Sequence, residues 1–328
     1  MLDATMTTTT SNPNAALDAV IEAAKKHSAV PLWPVLGTLS TPEPRPKAVP
    51  HIWPFAVMRP FCEAAAKLVG TEFAERRVFS LINPALGDPY TTDTLYAGLQ
   101  TILPGEVARA HRHTIFALRF IIEGDRAYTA VEGEKVMMQR GDLVLTPQDE
   151  WHDHGNEGDK IMIWMDGLDH PIWRAVPLVF TEHYGNKQFP SEVTTKPSVR
   201  KYPWDEMQAK LDAPSGPTAE VPYVHRGTGG EIGATIGASA IRINAGAETP
   251  ALRETSSSII NVYQGSGTAL IGGETLRFTQ GDVIAVPAWK QVRFRADTGG
   301  TTYLFRMHDR PLVRALNAYR ADAGAVGA

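Results

Sequence analysis

Three histidines stand at spacings that suit a single metal ion. Gly105-x5-His111-x-His113 sets two imidazoles at i and i+2, which on a β-strand point to the same face. Gly141-x5-Pro147-x4-His152-x3-Asn156 adds a third, after Gly141-Asp142 and Pro147, which read as turns around the apolar strand Leu143-Val144-Leu145. Two hairpin-related strands carrying three inward imidazoles can close on one ion. No cysteine joins the set, so the chemistry is that of an open iron(II), manganese or zinc centre rather than a sealed structural one.

The elements that position these residues are legible in outline. Residues 1–14 are polar and Thr-rich and read as a disordered lead-in. Leu17, Val20, Ile21 and Ala24 recur at helical spacing within Ala15–Lys26, with Asn14 as its N-cap. From Pro31 to Pro60 the prolines forbid a long helix, so an extended arm is expected that packs through Trp33 and Trp53. A short helix follows over Phe61–Val69, stopped at Gly70. From Arg77 onward, short apolar runs alternate with turn signals such as Pro104-Gly105, Glu123-Gly124, Glu132-Gly133 and Arg140-Gly141. That punctuation predicts an all-β jelly-roll or sandwich. A mixed connector then carries a helix from Trp204 to Leu211, and Gly227-Thr228-Gly229-Gly230, without strand-to-helix context or a lysine, reads as linker.

The second half echoes the first. Gly281-Asp282-Val283-Ile284-Ala285-Val286-Pro287 repeats Gly141-Asp142-Leu143-Val144-Leu145-Thr146-Pro147, and Gly246–Ile271 parallels Gly105–Val131. A period of well over a hundred residues means two copies of one barrel rather than a solenoid. The copy lacks the chemistry: Leu252 and Glu254 stand for His111 and His113, and Val292 for His152. One metal per chain is expected. The implied organisation is an N-terminal arm with helices (1–75), a metal-binding barrel (76–168), a linker (169–233), a metal-degenerate barrel (234–310) and a tail (311–328).

Bulk properties narrow the function classes. The chain has 328 residues, 43% hydrophobic and 21% charged, as in globular proteins, and a formal net charge of −4 with no long basic run. Nothing points to a nucleic-acid partner. No apolar run is long enough to span a bilayer, so no membrane partner is expected, and the first residues lack the pattern of a signal peptide. Cys62 is the sole cysteine, which excludes an intramolecular disulfide and points to a cytoplasmic setting.

The paired histidine motifs resemble the two cupin motifs, and the repeat makes the chain resemble a bicupin of two jelly-roll barrels. The cupin pattern places a glutamate ligand where this chain has Ala117-Leu118. A three-histidine site without it is similar to the gentisate 1,2-dioxygenase group of ring-cleaving bicupins, with its relatives acting on salicylates and 1-hydroxy-2-naphthoate. Leu95–Gln100, Pro104–Glu106, His111–Thr114, Ala117–Phe120, Trp151–Asn156 and Trp164–Asp169 carry that likeness.

The resemblance implies one Fe(II) per chain, held by His111, His113 and His152, and cleavage of an ortho-hydroxybenzoate between C1 and C2 with both atoms of O2 inserted. Arg119 would bind the substrate carboxylate, its even spacing from His113 giving it the same face. His154, two residues after His152, would hydrogen-bond substrate or oxygen and move a proton, oriented by Asp166. Gln100 and Tyr96 would form pocket walls, and Arg77 a second anion contact, with Arg76 pointing away. Each has a plainer reading: Arg119 paired with Glu123, His154 bonded to backbone, Asp166 in an Asp-Gly turn, Arg112 a solvated charge. Other functions stay open: a non-catalytic bicupin binding a small aromatic acid, or another metal-dependent cupin enzyme such as an isomerase. A homo-oligomer, a tetramer by analogy, is expected.

Overall fold

The structure, a computed structural model, describes residues 13–323. Residues 1–12 of the lead-in expected over 1–14, and the end of the tail, 324–328, lie outside the described residues, and positions 13 and 14 are already helical. The chain forms two compact units, 1–45 and 46–328. The smaller holds α1 (Pro13–Lys25) and α2 (Leu36–Leu39). α1 starts at Pro13, whose set φ and missing N–H suit the first helical position, so Asn14 lies in the first turn instead of capping it. Trp33 is exposed.

In the larger unit the arm is extended only as far as β1 (His51–Trp53), which carries Trp53 against the core. α3 (Phe55–Leu68) then begins six residues earlier than the sequence predicts and contains Pro60. The reason is tertiary: the Phe55 N–H donates to Asp282 Oδ1 at 2.8 Å, so the first turn is capped from a residue more than two hundred positions away. Pro60 removes one helical bond without ending the helix. α4 (Thr71–Ala74) follows.

Nine strands build the first jelly roll: β2 (Arg77–Ser80), β3 (Tyr96–Ile102), β4 (Val107–His113), β5 (Ala117–Glu123), β6 (Asp125–Val131), β7 (Glu134–Gln139), β8 (Leu143–Thr146), β9 (His152–Asn156) and β10 (Met162–Leu168). The connector supplies α5 (His170–Ala175), β11 (Thr181–His183), β12 (Glu192–Val193), β13 (Lys201–Tyr202), α6 (Trp204–Asp212) and β14 (Thr218–Pro222). It is no free tether. The first jelly roll is two six-stranded sheets, β13-β8-β5-β10-β3-β2 and β11-β4-β9-β6-β7-β12, with connector strands closing three of the four edges.

The second jelly roll runs β15 (Gly237–Ile243), β16 (Leu252–Glu254), β17 (Ser258–Gln264), β18 (Ser266–Ile271), β19 (Glu274–Thr279), β20 (Val283–Val286), β21 (Val292–Ala296) and β22 (Thr302–His308). α7 (Arg310–Ala315) and β23 (Ala321–Ala323) complete the described chain. Its sheets are β1-β20-β17-β22-β15-β14 and β19-β18-β21-β16-β23. The expected all-β bicupin architecture is therefore present.

The repeated Gly-Asp turn has a physical cause in both copies. Gly141 and Gly281 sit at φ +88° and +90°, where a side chain is strained. The following carboxylates accept the Gln139 N–H at 3.1 Å and the Thr279 N–H at 2.8 Å. Each also takes a partner from an element remote in sequence: Asp142 pairs with Lys201 on β13 at 2.8 Å, and Asp282 caps α3.

The barrels share a core between their sheets, where Phe120 stacks on Phe305 with ring centroids 4.2 Å apart. Inside, they differ. The second barrel is filled by apolar side chains such as Ile241, Ile260, Val262, Phe278 and Leu304. The first keeps a smaller apolar cluster around Ile121, Val136 and Trp164 and buries His152, His154, Arg119 and Asp166 as well. Among the described residues, no helix is long and apolar enough to cross a membrane.

Candidate metal centre and its cavity

His111 and His113 leave one face of β4, and His152 on β9 stands in register opposite His111. The ring centroids of His111 and His152 are 4.4 Å apart, those of His113 and His152 4.9 Å, and those of His111 and His113 5.1 Å. One ring nitrogen from each lies within 4.8 Å of the others, the only such group of three among the described residues.

The main chain sets the tautomer. Nδ1 of His113 meets the Ile115 carbonyl at 2.8 Å, Nδ1 of His152 the Glu150 carbonyl at 2.9 Å, and Nδ1 of His111 the Arg109 carbonyl at 3.3 Å. A carbonyl only accepts, so each Nδ1 carries the proton and each Nε2 keeps a lone pair. The His152 Nε2 is buried and has no protein partner. Burial, followed by repulsion from Arg76 and His113, lowers the His111 pKa to about 2; burial lowers that of His113 to about 4. Burial, with His111 and Arg119 nearby, holds His152 well below the ordinary value. Three neutral, lone-pair-presenting imidazoles fit a divalent metal.

Next to them opens a cavity of about 320 Å³, the lower end of the range for ligand pockets. His111, His113, Arg76, Arg119, Asp166 and Gln100 line it, together with Tyr96, Ser80, Asp88, Pro89 and His170; Val78, Ala117 and Leu168 supply apolar wall. Arg119 faces Asp166 across the β5–β10 pairing, with Nε 3.3 Å from Oδ1, and its other end donates to Thr146. Burial works against both charges, lowering the pKa of the guanidinium and raising that of the carboxyl, and each is the other's main compensation. Tyr96 keeps its phenol, its pKa raised to about 12 by burial, and its hydroxyl lies 3.1 Å from Ser80 Oγ.

Several sequence-based roles need correction. Arg119 does not pair with Glu123, which binds Arg59 on α3 at 2.7 Å. Asp166 does not orient His154; it accepts from Trp164 Nε1 at 2.9 Å and faces Arg119. His154 does face the interior, but it is not among the cavity-lining residues. Its Nδ1 lies 3.0 Å from Thr129 Oγ1, and its ring packs 5.7 Å from His152 and 5.8 Å from Trp164.

The two arginines where β2 begins, Arg76 just before it and Arg77 its first residue, are the reverse of the expectation. Arg77 turns away from the cavity, donating to the carbonyls of Ala66 at 2.9 Å and Val69 at 2.8 Å while pairing with Glu106. Arg76 lines the cavity, with Val78 and Ser80 following at the same parity. Burial, with Arg119 nearby, lowers its pKa. The usable signal was parity against Gln100, because Val78 pairs with Gln100 across the sheet. Asp88 and His170 were missed altogether, lying in a loop and a helix start that carry no periodic signal.

The second barrel keeps the frame without the ligands. Leu252 stands opposite Val292 as His111 does opposite His152. Glu254 is clamped by Arg306, by Arg310 Nε at 2.8 Å and by the Tyr319 hydroxyl at 2.9 Å.

Comparison with known proteins agrees with this architecture. The Cupin domain family matches residues 98–168. Gentisate 1,2 dioxygenase 1 of Aquipseudomonas alcaligenes is 34% identical over 90% of this chain and 93% of its own. A 1-hydroxy-2-naphthoate 1,2-dioxygenase of Nocardioides sp. is 33% identical, over 86% of this chain and 81% of its own. The crystal structure of salicylate 1,2-dioxygenase from Pseudoaminobacter salicylatoxidans as a gentisate adduct superposes with a TM-score of 0.87, at 31% identity over 97% of both chains.

Proposed function

The chain belongs to the gentisate and salicylate 1,2-dioxygenase family of ring-cleaving bicupins, and we propose that it opens gentisate or a closely related 5-substituted salicylate between C1 and C2, using O2 and Fe(II). The observation that carries the reading is the cluster of three neutral imidazoles, His111, His113 and His152, beside a cavity that His111 and His113 line together with Arg76 and Arg119. His111, His113 and His152 are the residues that would hold the iron, one per chain. Bound ferrous iron supplies a centre that an ortho-hydroxycarboxylate can chelate, and the electron-transfer capacity that dioxygen chemistry needs.

The protein's own groups do the rest. Arg119, pinned by Asp166 and Thr146, presents a pre-oriented guanidinium to the substrate carboxylate, and Arg76 adds a second cation. Gln100 and Tyr96 wall the ring. Packed against His152 and Trp164, His154 acts as a positioning residue behind the ligand set, its ring kept neutral because burial, with Arg119 and Arg76 nearby, holds its pKa well below the ordinary value. The apolar wall excludes bulk water from the anion contacts, which strengthens them. Both oxygen atoms enter the product: the C1–C2 bond breaks, and the ring opens to an acyclic dicarboxylate.

The same reading takes residues 76–168 as the catalytic barrel and the protein as a cytoplasmic homo-oligomer, a tetramer by analogy. The buried, unpaired thiol of Cys62 is compatible with a reducing compartment. The test is oxygen uptake by anaerobically iron-loaded protein offered gentisate, salicylate and 5-nitrosalicylate separately. Stoichiometric uptake with one of them, lost in His111→Ala, is the expected result. Bound iron without uptake on any of the three overturns the reading in favour of a binding cupin or another cupin chemistry.

A further inference from the structure

The cavity is electrically polarised, and its far end is rich in hydrogen-bond acceptors. The charges acting on His111 and His113 are those of Arg76 and Arg119. Asp88 acts instead on Tyr96 and His170, whose rings lie 6.4 Å apart, while the charge acting on Arg119 is that of Asp166. Asp88, Tyr96 and His170 all line the same cavity. A cationic end beside the imidazoles thus gives way, past Tyr96, to an end holding a carboxylate and an imidazole. The His170 Nδ1 is buried and has no partner within the protein. Burial lowers the His170 pKa, which favours the neutral ring with one accepting nitrogen.

Resting on the reading above, the substrate's orientation follows from its own chemistry. A 2-hydroxybenzoate held through its carboxylate and hydroxyl turns that edge of the ring toward the histidines and arginines. C5 is para to the 2-hydroxyl, so it points the opposite way, toward the Asp88 end. We propose that Asp88, with His170, reads the group at C5 and selects substituents that donate a hydrogen bond, a hydroxyl or an amine, over nitro or halogen. An ionised carboxylate only accepts. A C5 hydroxyl or amine satisfies it, whereas a nitro group brings two further acceptor oxygens against it and a halogen brings no donor. Selection by an acceptor that would otherwise face a non-donor discriminates more strongly than shape alone. Asp88 is exposed, so water competes for its carboxylate and limits the effect to about tenfold.

The experiment compares kcat/KM for gentisate, 5-aminosalicylate, unsubstituted salicylate and 5-nitrosalicylate in the wild type and in Asp88→Asn. Alongside it, equilibrium binding of the same compounds is measured to zinc-loaded protein, which does not turn over. The wild type is expected to favour gentisate and 5-aminosalicylate, and Asp88→Asn to reduce the gentisate-to-nitrosalicylate ratio about tenfold in both turnover and binding. His170→Asn is expected to lower the same ratio in the same direction. Asp88 makes no hydrogen bond in the fold, and an unchanged melting curve shows that Asp88→Asn is folded. A ratio unmoved in both variants overturns the proposal while leaving the ring-cleaving reading intact. Failure of the wild type to consume oxygen with any of the four overturns the ring-cleaving reading, and the binding series then decides separately whether Asp88 selects donors.

Discussion

His111 and His152 face each other directly across two antiparallel strands, and at the same register in the second barrel Leu252 faces Val292. One frame therefore presents a ligand pair in one copy and an apolar pair in the other.

Metal content should follow that difference. Wild-type protein loaded with ferrous iron and desalted is expected to hold about one ion per chain by elemental analysis, as an open three-imidazole site would. His111→Ala and His152→Ala should each lose it. Glu254→Gln should keep the iron but lose stability by about 3 kcal/mol, because Arg306 and Arg310 lose their buried carboxylate and keep only the longer contacts to Glu220, at 3.4 and 3.6 Å. Two ions per chain would contradict the assignment of the second barrel. Chelation should lower the melting temperature of the wild type and of Glu254→Gln but of neither histidine variant, since an ion present at a hundred times its Kd stabilises by about 2.7 kcal/mol.

The Arg119–Asp166 pair combines structure and function, and the two are separable. Arg119→Leu strands a buried carboxylate and should cost about 3–5 kcal/mol in chemical denaturation. Arg119→Leu combined with Asp166→Leu should recover most of that stability and none of the activity. Recovery of turnover in the double variant would show that the guanidinium serves only the fold.

The adjacent arginines at the start of β2 should behave oppositely. Arg76→Ala removes a cavity cation and is expected to raise KM about tenfold with little change in melting temperature. Arg77→Ala leaves two α3 carbonyls and Glu106 without their donor, so the melting temperature should fall while KM holds. The reverse pattern would return Arg77 to the site.

The pH response of the metal-free protein has a definite sign. His113 titrates at about 4 in the fold against an ordinary value of 6.5, and His111 lower still. Between about 6.5 and 4 the unfolded chain binds protons that these imidazoles refuse, so stability rises with pH through that window and is full above it. The slope should be shallower in His113→Gln than in the wild type, as measured by urea denaturation at pH 4.5, 5.5 and 6.5. Equal slopes would mean that the imidazole is not held neutral. Metal binding should persist well below pH 6, because no proton competes for the three Nε2 atoms until the ring pKa values are approached.

Much of this was readable before any coordinates. The spacing of His111, His113 and His152 is local to two strands, and a period of two admits only one facing for each residue. The repeat of Gly141-Asp142 in Gly281-Asp282 likewise announced a second copy, and Leu252, Glu254 and Val292 announced its missing ligands. Arg119 and His154 were assigned to the interior by the same counting, and both are buried there. Counting failed on β2, where nothing local ties Arg76 and Arg77 to a register. It failed again on α3, whose first N–H is capped by Asp282 from the far barrel.

The amino-acid order by itself thus determined the barrel class, the duplication and the three-histidine cluster, because each rests on patterns within a few residues of one another and on side-chain alternation. Tertiary structure decided which partners those residues keep. It gave Asp166 to Arg119 and Trp164 rather than to His154, and Glu123 to Arg59 rather than to Arg119. It chose Arg76 over Arg77 and brought Asp88 and His170 into the cavity wall. Ion pairs and cavity walls depend on how separate strands and loops meet in space, and alternation along one strand carries no information about its neighbour's register.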